Sequence, residues 1–138
     1  MDDKVAILRG VPLFAALEDT ALQAVALLAR EVRATAGEVL MLEGEPGDEL
    51  YVILEGSVRI EHGDRTVRSM TAGGFLGEIA LVDRRPRTAT AICVTDCRLL
   101  AIRGHEFERL MDTMPVVRQR VLAAIERRGR ADASATGG

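Results

Sequence analysis

The chain has 138 residues, 48% of them hydrophobic and 28% charged, with a net charge of −3. That is enough chain for one domain burying about two-thirds of its unfolded surface. The acidic balance, the lack of Trp and the single Tyr exclude a general nucleic-acid binder, which needs a basic face or stacking aromatics.

No apolar run approaches the ~20 residues that cross a bilayer. The N-terminus, MDDKVAILRG, is acidic rather than signal-like, so a cytoplasmic protein without a membrane span is expected.

Residues 1–35 read as helical. Asp3–Arg9 forms a first short helix, broken by Val11-Pro12-Leu13-Phe14. Glu18-Asp19-Thr20 suits a helix start, and Leu22, Val25, Ala26 and Ala29 recur at helical spacing until about Arg30.

From Gly37 to Arg103 the pattern changes to short strands punctuated by glycine turns. Val39–Leu42 ends at Gly44. In the turn Glu45-Pro46-Gly47-Asp48, Pro sets φ and Gly is free to take φ > 0. Leu50–Leu54 is apolar at every position, as a strand buried on both faces would be. Val58-Arg59-Ile60-Glu61 alternates, with one wet face, and His62-Gly63-Asp64 turns it into Thr66–Met70. Thr88–Val94 and Arg98–Ile102 follow, giving seven or eight strands and suggesting a barrel or jelly roll.

Helix returns at Gly104 with His105, Phe107, Leu110 and Met111. Pro115 opens another helix at the position where a missing N–H costs least. There Val117, Val121, Ala124 and Ile125 form one apolar face, with Arg128 at its end. Ala131–Gly138 is small and polar and reads as a flexible tail after a domain of residues 1–130. Cys93 and Cys97, a C-x3-C pair without further thiols, read as small core residues.

GEIALVDRRPRTATA, residues 77–91, carries the chemistry. A phosphodiester inside a protein needs a paired cation and amide donors. Gly73, Gly74 and Gly77 let backbone approach a ligand closely. Glu78-Ile79-Ala80-Leu81 is long enough for one helical turn, whose free N–H groups favour an anion. Arg87, stiffened by Pro86, can offer a bidentate guanidinium, while Glu78 can accept from a sugar hydroxyl. Arg84 and Arg85 read as exposed loop charges.

Two blocks, GEVLMLEGEPGDELYVILEGSVRI (37–60) and GGFLGEIALVDRRPRTATA (73–91), resemble the cyclic nucleotide-binding domain. That family is shared by kinase regulatory subunits, cyclic-nucleotide-gated channels and the catabolite activator group. The resemblance implies a mainly β fold: an eight-stranded jelly-roll-like β-roll with N-terminal helices, a short phosphate-cassette helix and two C-terminal helices.

By that resemblance Glu78 accepts from the ribose 2′-hydroxyl, and Arg87 pairs with the cyclic phosphate beside the N–H groups of Ala80 and Thr88. Gly77 allows sugar contact, and Ile79 and Ala89 belong to the same cassette. Val58 and Met70 match apolar positions near the base. Thr88 fits either cAMP or cGMP. Arg128 matches a base-capping position in channel-type members, or is a helix-end cation.

The resemblance implies a non-enzymatic sensor whose C-terminal helices close over the ligand, with no cofactor besides it. The composition suggests a bacterial source and hence cAMP. The alternative is a degenerate fold that binds only protein. An effector outside this chain and a homodimer through the C-terminal helix are expected; the starting Met and the tail lean towards a standalone sensor. A metal enzyme on a related roll would need clustered histidines, and His62 and His105 are isolated in sequence.

Overall fold

A computed structural model of the chain describes residues 3–77 and 86–136, with side chains up to residue 127. The cassette turn expected at Glu78–Leu81, and Arg84 and Arg85, lie outside the described residues. In order come α1 (Asp3–Arg9), α2 (Asp19–Leu28), β1 (Arg30–Ala34), β2 (Val39–Met41), β3 (Glu49–Glu55) and β4 (Val58–His62). Then follow β5 (Arg65–Met70), β6 (Phe75–Leu76), β7 (Thr90–Cys93), β8 (Cys97–Arg103), α3 (Gly104–Thr113) and α4 (Pro115–Thr136). The eight strands form two four-stranded antiparallel sheets, ordered β1-β8-β3-β6 and β2-β7-β4-β5.

Strand parity builds two cores. On β3, Leu50 and Val52 face the helices, while Tyr51 and Ile53 face the interior of the roll. β8, paired with β3, divides the same way: Leu100 and Ile102 face outward to the helices, Leu99 inward. This sheet is covered on both sides, which is why β3 is apolar at successive positions. The second sheet is covered on one side only, so β4 buries Val58 and Ile60 and leaves Arg59 and Glu61 half-buried.

The helices pack around Phe14 and Phe107, whose ring centroids lie 5.9 Å apart at a tilt of 59°. Val117, Val121 and Ala124 are buried on one face of α4, as their spacing requires.

Two expectations need correction, and one strand went unread. Residues 30–34 are strand, not the end of a helical region. In β1 only Val32 and Ala34 turn inward, and an edge strand this polar carries too little alternation to read from sequence. β6 is two residues long, flanked by glycines, and forms only by pairing Phe75 and Leu76 with Val52 and Tyr51. Helix also continues to Thr136, so Ala131 does not mark a break in secondary structure.

Cys93 ends β7 and Cys97 begins β8; both are free and buried in the roll interior. The Cys97 thiol lies 3.5 Å from Ser57 O and 3.4 Å from Thr95 O. Burial first, and then the Cys97 thiol beside it, pushes Cys93 up to about 12. At pH 8 it is therefore held as the unreactive thiol. Iodoacetamide is expected to label Cys93 far more slowly in the native protein than in denatured chain at that pH, followed by peptide mass spectrometry. Equal rates would contradict this environment.

Candidate ligand-binding site

Arg87 enters from the Pro86 side and leads through Thr88 and Ala89 into β7. Its backbone is fastened to the turn that precedes β3. Arg87 N–H donates to Glu45 O at 2.9 Å, and Gly44 N–H donates to Arg87 O at 2.8 Å. Glu43 N–H adds a bond to Thr90 Oγ1 at 3.0 Å. The backbone that delivers the guanidinium is thus tied on both sides of Arg87.

The side chain runs between two glycines. A Cβ on Gly47 would lie 2.0 Å from Arg87 Nε, and one on Gly77 would lie 2.9 Å from Arg87 Nη1 and 2.4 Å from Glu49 O. Gly77 also has φ +87°, a conformation that favours glycine. Gly47 does not use a positive φ; in that turn the left-handed residue is Gly44, at +85°. The structure therefore corrects the expected role of Gly47: it provides room for Arg87, not an unusual backbone.

Arg87 Nη2 donates to the backbone oxygen of Glu49 at 2.9 Å. The Glu49 carboxylate is engaged elsewhere, ion-paired with Arg30 and accepting from the Tyr51 hydroxyl at 3.2 Å. Burial, then the charge of Glu49, raises the Tyr51 pKa and keeps the phenol protonated. Among the described residues, Arg87 thus meets a neutral carbonyl rather than a carboxylate. It lines a cleft of about 490 Å³ with Leu40, Met41, Tyr51, Asp48 and His105. A guanidinium so held can exchange a neutral acceptor for an anionic one, a stronger bond.

Gly77 and Arg87 are brought together. Thr88 is exposed and Ala89 half-buried at the same strand entry. Val58 is fully buried and pairs with Met70 across β4 and β5. Met70 also borders a second cavity of about 330 Å³ beside Gly73, Gly74 and, on α4, Ala124 and Arg127. Glu78, Ile79 and Ala80 lie outside the described residues. The α4 backbone includes position 128, but the Arg128 side chain is likewise outside them.

Sequence reasoning missed the second layer. Asp48 O accepts from Gly104 N–H at 2.5 Å, and Asp48 Oδ2 lies 2.6 Å from His105 Nδ1. His105 therefore sits at the start of α3, as read, but its partner is a turn residue far away in sequence. The GEPGD run marked the turn, and no local signal told which elements it would hold.

Residues 31–114 match the family model for the cyclic nucleotide-binding domain. The chain belongs to that family. Over 124 residues it is 35% identical to a cyclic nucleotide-gated potassium channel of Rhizobium etli, covering 89% of this chain and 35% of the channel. The chain thus spans about a third of the curated channel it matches. The N-terminal domain of a transcriptional regulator from Streptomyces coelicolor superposes with a TM-score of 0.77 at 33% identity, covering 94% of each chain. The regulatory domain of Toxoplasma gondii PKA, solved with cAMP, superposes with a TM-score of 0.72 at 31% identity, covering 78% of this chain and 42% of that one.

In this cyclic nucleotide-binding domain, Gly47→Ala is expected to displace the Arg87 guanidinium while changing unfolding free energy by less than about 1 kcal/mol. The Arg87 Nε–H resonance reports it. An unshifted resonance would mean that Gly47 does not shape this channel.

Proposed function

We propose that this chain is a regulatory sensor that binds a cyclic nucleotide, cAMP in preference to cGMP. The observation that carries this reading is the Arg87 guanidinium held between Gly47 and Gly77 on a neutral backbone oxygen. On this reading Arg87 pairs with the cyclic phosphate, and Glu78, next to Gly77, accepts from the ribose 2′-hydroxyl. The N–H groups of Ala80 and Thr88 add donors to the phosphate, and Val58 and Met70 lie towards the base. Arg128 continues the register of Val117, Val121 and Ala124 on α4 and caps the base. The preference for cAMP is supported by the Toxoplasma relative solved with it.

The energetics favour a sensor. Moving Arg87 from Glu49 O to a phosphate exchanges a bond with one charged partner for an ion pair that can be bidentate. A ligand can shift a conformational equilibrium only through such a difference between states. Closure of α3 and α4 over the ligand is the proposed output, read by an effector outside this chain and by pairing of two copies through α4. The site binds and does no covalent chemistry: a guanidinium and amides hold a phosphodiester without activating a nucleophile. Among the described residues, no helix is long and apolar enough to cross a membrane.

Calorimetric titration with cAMP and cGMP tests the reading. Wild type is expected to bind cAMP more tightly than cGMP. Arg87→Ala is expected to lose about 1.5–3 kcal/mol, tenfold or more in affinity, and Glu78→Ala to weaken binding as well. Failure of wild type to bind either nucleotide at tens of micromolar would overturn the proposal.

A further inference from the structure

The two peptide groups that follow Arg87 are both oriented from outside. Arg87 O accepts from Gly44 N–H at 2.8 Å, and Thr88 O lies 3.0 Å from His62 Nδ1. Because a carbonyl oxygen can only accept, His62 must carry its proton on Nδ1 to make this bond. The chain contains no cis peptide among the described residues, and a trans peptide points its C=O and N–H to opposite sides. Fixing Arg87 O on Gly44 therefore sets the plane of the peptide that carries the Thr88 N–H. Fixing Thr88 O on His62 turns the Ala89 N–H away from the β4–β5 hairpin. None of the hydrogen bonds among the described residues uses either N–H.

His62 is itself held. It is the last residue of β4, where the hairpin turns at Gly63, which has φ +65°. Glu43 reaches across from beyond β2: its Oε1 accepts from Gly63 N–H at 2.9 Å and its Oε2 lies 3.4 Å from His62 Nδ1. One carboxylate thus fastens the hairpin tip and lies beside the same Nδ1 that meets Thr88 O, at the longer distance of the two. The backbone N–H of Glu43 meanwhile donates to Thr90 Oγ1, two residues beyond Thr88.

We infer that His62, beside Glu43, is a positioning residue for the anion site: it orients the Thr88–Ala89 peptide so that the Ala89 N–H faces the phosphate bound by Arg87. The inference rests on the cyclic-nucleotide reading and adds to it a residue from the hairpin opposite the cassette. His62 touches no ligand atom; it acts through the peptide plane. Its side chain is 67% exposed, so the bond competes with water and its loss is modest.

The test is calorimetry with cAMP and cGMP on wild type, His62→Ala and His62→Asn, alongside thermal melting. His62→Ala is expected to weaken binding of the preferred nucleotide about three- to tenfold, with a melting temperature within about 2 °C of wild type. His62→Asn is expected to restore most of the affinity, because its side-chain amide N–H can stand where Nδ1–H stands. If wild type binds and His62→Ala binds equally well, the inference is overturned and the nucleotide reading stands. The same holds if both variants weaken binding equally, since ring volume alone would then explain the loss. If wild type binds neither nucleotide, the nucleotide reading fails and this inference with it.

Discussion

The turn from Gly44 to Glu49 grips Arg87 at both backbone and side chain, and the rest of the site is arranged around that grip. Gly44 and Glu45 hold the main chain of Arg87, Glu49 O holds its guanidinium, and Gly47 leaves the space it occupies. Such a grip requires that a guanidinium lie against bare backbone, so a side chain at Gly47 or Gly77 would intrude on it. The arrangement also leaves the Glu49 carboxylate free to pair with Arg30 and Tyr51 instead of neutralising Arg87. Among the described residues the Arg87 charge rests on a neutral acceptor, which an anion can displace.

The same turn touches the helices. Asp48 receives the first N–H of α3 through its backbone oxygen and meets His105 through its side chain. Space is limited here too: a Cβ on Gly104 would lie 2.6 Å from Asp48 Oδ1. The turn therefore stands between Arg87 and the helix pair. α3 in turn anchors Phe107 and Met111 in the outer core, where Val117 and Val121 of α4 are also buried. One short segment is thus shared by the site and by the helical layer.

The sheets make this sharing possible. β3 and β8 present one set of side chains to the helices and the alternate set to the roll interior. Their backbones form a rigid partition, with close packing on both faces. The cleft lined by Arg87 lies at the end of that partition, where β3 begins and β8 runs into α3. Loops carry the chemistry, and their geometry is inherited from the strands they join.

Much of this was legible in the chain itself. Alternation in Val58–Glu61, the unbroken apolar run of Leu50–Leu54 and the 3–4 spacing of Val117, Val121 and Ala124 each follow from a fixed residue period, so local pattern alone specifies them. Arg87 and Gly77 were legible for a related reason: a cation and a flexible backbone at a strand entry are chemistry written in residue type. β1 and β6 were not, because a polar edge strand and a two-residue strand owe their form to partners rather than to their own composition. The contacts of Gly47, Asp48, Glu43 and His62 were also out of reach, since each meets a residue 20 or more positions away. The sequence by itself determined where a cation and flexible glycines stand at a strand entry, and which faces had to be buried. Only the tertiary structure decided how the binding groups are aimed, because aim depends on hydrogen bonds between segments that meet only when the roll closes.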